Sequence, residues 1–363
     1  MKPLDNLKVL DLTRLLPGAY ATMLLADFGA EVVKIEEPGA GDPLRTLPPL
    51  IEGVSAYHLA LNRNKRSRAL DLKSDAGQEV FLEMAAQADV VIENFRPGVM
   101  RRLGLDYESL RAVNPRLIYC AITGYGQDGP RRTEAGHDLN FIALAGLLGL
   151  NAKEDGEPVI PGVQFADLAG GSLPAVIGIL LAVAARERTG AGQMVDISML
   201  DGVLSLMVAP LVTLLATGRE PQPSGEALTG RYACYHVYEA GDGRHLALAA
   251  LEPKFWAVVC RALGREDLIA RQFAEGEPRA ACVEALQSIF RTKTANEWVA
   301  QFAGLDACLT PVKTLGEVLA DPQVKARGVI AELEHPEFGT LKQLAPTIKL
   351  SATPGEVGST RSP

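Results

Sequence analysis

Leu7-Lys-Val-Leu-Asp-Leu12 and Glu31-Val-Val-Lys-Ile35, with residues 18–29 between them, form the stretch that decides the fold of this chain. The two flanking segments are short and apolar, which predicts strands, and residues 18–29 have the apolar spacing of a helix. Further strands are predicted at Arg68-Ala-Leu-Asp-Leu72, Asp89-Val-Val-Ile-Glu93 and Arg116-Leu-Ile-Tyr-Cys-Ala-Ile122, and a helix at 76–87. Strands that alternate with helices predict a parallel sheet with helices on both faces.

A change of pattern in the second half of the chain predicts a second domain. At 363 residues the chain is longer than a typical single domain. Beyond the polar stretch Thr217-Gly-Arg-Glu-Pro-Gln-Pro-Ser-Gly225, strands at 232–239 and 244–249 are joined by a turn and followed by helical patterns. We therefore expect an α/β protein in four parts, namely a Rossmann-like large domain at 1–200, a linker at 201–225, a small α+β domain at 226–315 and a C-terminal segment at 316–363 that returns to the large domain.

The composition of the chain argues against several classes of protein. Hydrophobic residues make up 47% of the chain, and 36 basic against 44 acidic residues give a net charge of −8, which disfavours nucleic acid as a partner. The apolar runs 173–185 and 202–217 are shorter than the roughly 18 uninterrupted residues of a membrane span, so we expect no membrane partner. The lack of an apolar signal region and five scattered cysteines without a C-x-x-C pair predict a cytoplasmic protein with no metal site.

Asp167 and His137 are the first candidates for chemistry. Asp167 opens Asp167-Leu-Ala-Gly-Gly-Ser172, which predicts a carboxylate at a helix start beside free backbone N–H groups that can stabilise an anionic oxygen. The alternative is an ordinary helix cap with small residues for packing. His137, in Ala135-Gly-His-Asp-Leu-Asn140, titrates near neutral pH and can exchange a proton, although a lone histidine is more often structural.

Glu252 and several basic residues are the remaining candidates. Glu252 lies between a strand and a helix, where it either caps the helix or orients a histidine. Basic side chains follow strand ends in 62–68, at Lys73, in Asn94-Phe-Arg-Pro-Gly98 and in 101–102. Because parallel sheets bind ligands at the carboxyl ends of their strands, these residues predict a phosphate-bearing ligand. A solvated surface of ion pairs is the alternative.

Segments along most of the chain resemble the class III CoA-transferase (CaiB/BaiF) superfamily. They are Leu10-Asp-Leu-Thr13, Pro17-Gly18, Ala26-Asp-Phe-Gly-Ala30, Glu31-Val-Val-Lys-Ile-Glu36, Asn64-Lys-Arg-Ser-Arg-Ala-Leu-Asp-Leu-Lys73, Glu93-Asn-Phe-Arg-Pro-Gly98, Thr123-Gly-Tyr-Gly-Gln-Asp-Gly-Pro130 and Thr189-Gly-Ala-Gly-Gln-Met-Val-Asp196. The resemblance implies a CoA-binding domain. It also implies a homodimer of interlocked chains that share each active site.

Two segments are most similar to the α-methylacyl-CoA racemases of that superfamily. Ala135-Gly-His-Asp-Leu-Asn140 and Leu251-Glu-Pro-Lys-Phe255 match the segments that carry the paired histidine and glutamate of those enzymes. Asp167 matches their second acid–base group. The formyl-CoA-type transferases use an aspartate at the position of Asp167 as nucleophile and usually carry a glycine-rich loop where this chain has Glu252. The sequence lacks that loop, which favours racemisation.

The same resemblance implies which residues contact CoA. By match they are Leu70, Asp71, Leu72, Lys73, Asn94, Phe95, Arg96, Arg102, Gly136 and Phe141. Two positions depart from the racemase pattern. Glu37 stands where an arginine often faces the nucleotide, and Phe141 stands where a tyrosine is frequent. No cofactor is implied beyond the CoA that the acyl-CoA substrate carries.

The leading hypothesis is a racemase that interconverts (R)- and (S)-2-methylacyl-CoA. Removing an α-proton and returning one to the opposite face needs two groups that accept and donate, and His137 and Asp167 would supply them. N–H groups around Asp167 would stabilise the enolate oxygen, each by about 3 kcal/mol. Glu252 would hold His137. The alternatives are a CoA-transferase that forms an acyl anhydride on Asp167 and a non-catalytic CoA-binding protein. The acyl group stays open.

Overall fold

The helices and strands are those of a computed structural model, which describes residues 1–153 and 155–358. Its strands are β1 Lys8–Asp11, β2 Glu31–Glu36, β3 Leu50–Ile51, β4 Val54–Ser55, β5 Arg66–Ala69, β6 Val90–Glu93, β7 Ile118–Thr123, β8 Met194–Ser198, β9 Tyr235–Glu239, β10 His245–Ala249, β11 Leu309–Pro311, β12 Ile330–His335 and β13 Gly339–Leu344. Its α-helices are α1 Leu15–Asp27, α2 Ala56–Leu61, α3 Asp75–Ala85, α4 Val99–Arg102, α5 Tyr107–Val113, α6 Asp138–Leu144, α7 Leu147–Leu150, α8 Leu173–Thr189, α9 Met199–Leu206, α10 Val208–Thr217, α11 Pro253–Ala262, α12 Gly276–Phe290, α13 Ala295–Gln301, α14 Leu315–Ala320 and α15 Pro322–Ala326. Two 3₁₀-helices, Pro43–Thr46 and Glu266–Arg271, and a π-helix, Phe165–Ser172, add to these.

A six-stranded sheet with the spatial order β5-β2-β1-β6-β7-β8 positions the site, and all its neighbouring strands are parallel. Counted along the chain within this sheet, the order is 3-2-1-4-5-6, which is that of Rossmann-type proteins. β6 and β7 are buried along their whole length. Strands buried on both faces are nearly continuous apolar runs, which is why the sequence revealed them. The predicted α/β fold with a parallel sheet is confirmed.

Several element boundaries differ from the predicted ones by a few residues, and two of these differences bear on the site. α1 begins at Leu15 rather than at residue 18, because Pro17 fits the first turn of a helix, where no backbone donor is needed. β5 ends at Ala69, so residues 70–72, predicted as strand, leave the sheet. Leu70 N still donates to Glu36 O (2.8 Å), and the chain then turns into α3, which Ser74 caps through Gly77 N. Residues 70–73 therefore lie in a loop at the carboxyl edge of the sheet.

The described residues divide into two compact units. One contains 1–148, 160–208 and 322–358, and the other contains 149–153, 155–159 and 209–321. In the smaller unit β9 and β10 form the predicted antiparallel hairpin, and β11 adds a third strand. The buried core of this unit contains the aromatic side chains of Trp256, Phe290 and Trp298. The sequence did not predict that residues near 150 join this unit, where an antiparallel bridge pairs Ala152 with Pro158.

One long apolar helix extends beyond the predicted run at 173–185. The π-helix continues directly into α8, and the most apolar 18-residue window of Phe165–Thr189 has a mean hydropathy of 2.1 and is one third buried. By length and composition alone this helix is long enough to cross a membrane, a test that core helices also pass. The second apolar run is divided, because α9 ends at Leu206 and α10 starts at Val208 with Pro210 in its first turn.

Candidate active site

Two adjoining cavities in the larger unit hold the residues predicted to bind CoA. The lysine cavity, named for Lys73 and about 340 Å³ in volume, is lined by Leu70, Asp71, Leu72, Lys73, Phe95 and Arg102. The histidine cavity, named for His137 and about 330 Å³, is lined by Asn94, Phe95, Arg96, Gly136, His137, Phe141 and Asp167. Arg14 and Phe95 line both cavities. The fold therefore brings the predicted CoA residues to one edge of the sheet, together with two of the three predicted catalytic residues.

Arg14, which the sequence reasoning missed, lies where the order of the sheet reverses. It follows β1, and Asn94 follows the neighbouring strand β6. The Asn94 amide clamps the Arg14 backbone, since Oδ1 accepts from Arg14 N and Nδ2 donates to Arg14 O, both at 2.8 Å. The Arg14 guanidinium lies 5.3 Å from the centre of the Phe95 ring. Open α/β sheets bind ligands at the point where the strand order reverses. The position of Arg14 shortly after a strand was therefore the sequence signal that could have identified it.

The start of the π-helix is held by Asp138, a second residue that the sequence reasoning missed. Asp138 Oδ1 accepts hydrogen bonds from Ala166 N (2.6 Å) and Asp167 N (3.0 Å). These are N–H groups that the sequence predicted to be free for a substrate oxygen, and that prediction is wrong because a carboxylate of the same chain occupies them. Asp138 directly follows His137, so one side chain ties the histidine segment to the aspartate segment.

Unpaired backbone donors lie instead at the start of α6. Asp138 and Leu139 occupy its first two positions, where a helix offers no internal acceptor. Within the described residues neither N–H has a hydrogen-bond partner. They directly follow His137 in the chain. The unpaired donors thus adjoin His137 in the chain rather than Asp167.

The carboxyl group of Asp167 has a strongly shifted pKa. Burial, the larger cause, and the nearby Asp138 charge together raise this pKa to about 6, while His137 acts in the opposite direction. A pKa near neutrality lets a carboxyl group both accept and donate a proton. His137 and Asp167 line the same cavity.

His137 occupies the N-cap position of α6, and its neighbours fix the loop. His137 N donates to Asn140 Oδ1 (3.0 Å), and the imidazole is exposed to the cavity. A Cβ on Gly136 would lie 2.6 Å from Phe141 Cε1, so glycine is required there by the buried Phe141 ring. Tyr125 packs edge-on against that ring at 5.2 Å. Phe141 therefore shapes the cavity wall through packing.

Glu37 balances the positive charge of the lysine cavity. Its carboxylate lies 2.8 Å from Lys73 Nζ and 3.5 Å from the Arg14 guanidinium. The hydrogen bond with Lys73, followed by the charges of Lys73 and Arg14, lowers the pKa of Glu37. The acidic residue that departs from the racemase pattern is thus paired with Lys73 of the predicted CoA site and with Arg14.

Glu252, the third predicted catalytic residue, belongs to the smaller unit. It stands at the N-cap of α11, but its side chain makes no capping hydrogen bond and is exposed. The Glu252 side chain therefore does not cap α11, which was the alternative role for this residue. Gln272 Nε2 donates to the carbonyl oxygens of Ala250 (3.2 Å) and Leu251 (2.8 Å), which fixes the backbone just before Glu252. Its action on His137 stays a prediction.

The cysteines and acidic residues do not assemble into a metal-binding cluster within the described part of the chain. There, no group of three or more His, Cys, Asp or Glu side chains is arranged to hold a metal ion. Four cysteines are buried and Cys308 is exposed. Burial raises the pKa of Cys120, so this thiol stays protonated at neutral pH.

The fold and cavities define an α/β protein whose ligand site lies at the carboxyl edge of a parallel sheet. Residues 4–363 match the sequence profile of CoA-transferase family III, and the chain belongs to that family. It is 36% identical to the succinyl-CoA:glutarate CoA-transferase of Mus musculus, over 97% of this chain and 81% of that protein. It is also 36% identical to the alpha-methylacyl-CoA racemase of Homo sapiens, over 90% and 81%. A CAIB/BAIF family protein from Brucella suis has a crystal structure that superposes with a TM-score of 0.86 at 36% identity, covering 100% of this chain and 96% of that one.

Proposed function

We propose that the protein is a racemase that interconverts (R)- and (S)-2-methylacyl-CoA thioesters through an enolate. The observation that carries this proposal is that His137 and Asp167 line one cavity, with the Asp167 pKa raised to about 6. Racemisation requires two groups that each accept and donate a proton near neutral pH. The similarity to a racemase over 90% of the chain supports the same reaction.

The reaction balances with these two groups alone. Neutral His137 takes the α-proton, the C–H electron pair forms the enolate double bond, and negative charge moves to the thioester oxygen. Protonated Asp167 then donates its proton to the opposite face of the α-carbon, which leaves an imidazolium and a carboxylate. In the reverse direction Asp167 is the base and His137 the acid. Exchange with water resets both groups between turnovers.

The thioester oxygen needs donors once it becomes anionic. We assign this role to Asp138 N–H and Leu139 N–H at the start of α6, which replace the donors expected around Asp167. A fixed donor aimed at an oxyanion stabilises the transition state by about 3 kcal/mol in comparable enzymes.

The remaining roles follow the resemblance. The CoA part of the substrate would lie along the lysine cavity, where Lys73 and Arg102 offer positive charge to its phosphates. Glu252 would hold the imidazole of His137 and strengthen it as a base. CoA enters only as part of the substrate, so no separate cofactor is required.

A second copy of the chain is the proposed partner. α8 exposes Leu173, Ile177 and Leu181 (43%, 57% and 66% exposed), which are four residues apart on one face. A contiguous apolar stripe of this kind marks an interaction surface. We propose that the partner chain covers it in a homodimer and that the protein acts in the cytoplasm.

The decisive experiment follows the α-hydrogen in deuterated water. Proton NMR should show deuterium entering both epimers of a 2-methylacyl-CoA without any acceptor acid, and His137→Ala should lower the rate by at least about 100-fold. Asp167→Ala should do the same. If wild type binds the thioester but exchanges no α-hydrogen, the racemase proposal is wrong and a non-catalytic CoA-binding role gains support.

A CoA-transferase is the second candidate, because the succinyl-CoA:glutarate enzyme is as similar to the chain as the racemase is. In that reaction the Asp167 carboxylate would attack the thioester carbonyl and expel CoA thiolate, which leaves an acyl anhydride. Hydroxylamine would trap the enzyme-bound acyl group, and no α-exchange would accompany it. With a pKa of about 6 Asp167 is mostly ionised at pH 7, so its pKa is compatible with both reactions, and the α-exchange and trapping experiments distinguish them.

A further inference from the structure

Glu37 stands where sheets of this strand order recognise the ribose of a nucleotide. It directly follows β2, about 20 residues beyond the turn between β1 and α1. In Rossmann-type sheets an acidic residue at this separation hydrogen-bonds a ribose hydroxyl, whereas an arginine accommodates a phosphate on that ribose. The proposed reaction gives Glu37 no role. Its position favours a ligand whose ribose hydroxyl groups are free.

The Glu37 carboxylate can be reached from the lysine cavity and keeps free acceptor sites. It lines that cavity, and its side chain is 39% exposed. Oε1 accepts from Lys73 Nζ at 2.8 Å, and Oε2 lies 3.5 Å from Arg14 Nη2. The two cations lower the pKa of Glu37, so the group is ionised at neutral pH. A carboxylate has about four lone-pair sites, so these two contacts leave room for hydroxyl donors of a ligand.

The net charge of the lysine cavity is small for a ligand as anionic as CoA. Six ionisable side chains line it, three cations and three carboxylates, namely Arg14, Lys73, Arg102, Glu36, Glu37 and Asp71. Glu36 is neutralised from outside the cavity by Arg45, whose Nη2 lies 2.6 Å from Oε1. Three cations against the two remaining carboxylates leave one positive charge.

This charge suits a diphosphate better than a diphosphate with a further phosphate on the ribose. The 3′-phosphate of CoA is a monoester and carries about two negative charges at neutral pH. Beside Glu37 it would meet a like charge, and the two cations nearest to it are already held by that carboxylate. Arg102, which Glu37 does not hold, lines the same cavity and remains for the diphosphate.

We propose that Glu37 makes the lysine cavity selective for an adenosine diphosphate whose ribose has a free 3′-hydroxyl. The hydroxyl would donate to the Glu37 carboxylate, and the 3′-phosphate of CoA would be repelled from it. The preferred carrier of the acyl group is then dephospho-CoA rather than CoA. This inference rests on the proposed function, since it places the nucleotide part of the thioester substrate in the lysine cavity.

Calorimetric titration of the full-length protein tests this preference without turnover. The probes are CoA, dephospho-CoA and 3′-deoxy-dephospho-CoA. The wild type should bind dephospho-CoA with a Kd about fivefold or more below that of CoA, because a hydrogen bond to a charged group replaces a repulsion. The 3′-deoxy probe, which lacks the donor, should lose most of this advantage.

Two substitutions of Glu37 and one control assign the effect to this residue. Glu37→Gln keeps the shape but removes the charge and should reduce the preference to about twofold or less. Glu37→Arg should reverse it, so that CoA binds more tightly. Glu31→Gln is the matched control, because Glu31 begins the same strand and pairs with Arg66 at 3.5 Å. It lies about 20 Å from Glu37 along the strand, beyond the screening length of about 8–10 Å, and should keep the wild-type preference.

The outcomes separate this inference from the proposed function. If CoA binds as tightly as dephospho-CoA or more tightly, or if Glu37→Gln keeps the preference, the role of Glu37 is wrong even when α-exchange proceeds. If the preference and its reversal in Glu37→Arg are found without α-exchange, the inference stands and the racemase proposal fails. If neither nucleotide binds, both are wrong.

Discussion

Asp138 acts on Asp167 in two ways, through the hydrogen bonds that its Oδ1 accepts and through its negative charge. The oxygen orders two N–H groups of the π-helix, and the negative charge helps raise the pKa of Asp167. Asp138→Asn keeps an acceptor but removes the charge. The pKa of Asp167 should then fall from about 6 by less than about one unit, because burial, the larger cause, remains.

A carbon-13 NMR titration of the aspartate carboxyl groups measures this shift. Glu134→Gln removes a carboxylate from the wall of the same cavity and is the matched control, which should leave the pKa of Asp167 unchanged. An unchanged pKa in Asp138→Asn would contradict the assigned electrostatic coupling.

The raised pKa of Asp167 also lowers the free energy of unfolding once the pH rises above about 4. The folded state holds this proton up to about pH 6, whereas the unfolded chain releases it near pH 3.8. The wild type should therefore lose stability relative to Asp167→Asn as the pH rises through that window. We expect the variant to be more stable by about 3 kcal/mol at pH 8 and equal to wild type near pH 3. Urea unfolding at several pH values checks this, and a difference independent of pH would refute it.

Among the elements, the π-helix and α9 pack unusually closely at two glycines. A Cβ on Gly202 would lie 2.0 Å from Gly170 O, a backbone atom that cannot move aside cheaply. Gly170 belongs to the π-helix that carries Asp167, and such helices are frequent at functional sites. The close approach therefore sets where Asp167 lies relative to the rest of the site.

Gly202→Ala should destabilise the protein by about 3 kcal/mol and reduce α-exchange by more than the loss of folded protein explains. Thermal unfolding and the exchange rate per folded molecule give the two values. Gly162→Ala is the control, because a Cβ there meets nothing within 4 Å. Wild-type stability in Gly202→Ala would contradict this packing.

At the scale of the whole molecule, the proposed homodimer predicts that Glu252 of one chain acts on His137 of the other. If Glu252 acts on the partner's site, a mixed dimer of His137→Ala and Glu252→Ala chains contains one intact site. Co-refolding the two inactive variants in equal amounts should then restore about a quarter of wild-type α-exchange, since half the dimers are mixed and each has one site. Each variant refolded alone is the control. No recovery, with mixed dimers verified by mass, would place Glu252 in the site of its own chain.

The sequence by itself determined the parallel sheet and a set of candidate site residues, most of which line the two cavities. Buried parallel strands must be nearly continuous apolar runs, so β1, β2, β6 and β7 were visible without any structure. His137 and Asp167 were found because their residue types suit proton transfer and their segments resemble a known family. Both signals are local in the chain.

Only the tertiary structure decided which atoms are free to act. Asp138 satisfies the N–H groups near Asp167 from 28 and 29 residues away, and Asn94 clamps Arg14 across 80 residues. The pKa of Asp167 likewise depends on burial, which arises from packing between elements. Hydrogen bonds and desolvation depend on distances in space, and residue types along a chain do not encode those distances directly.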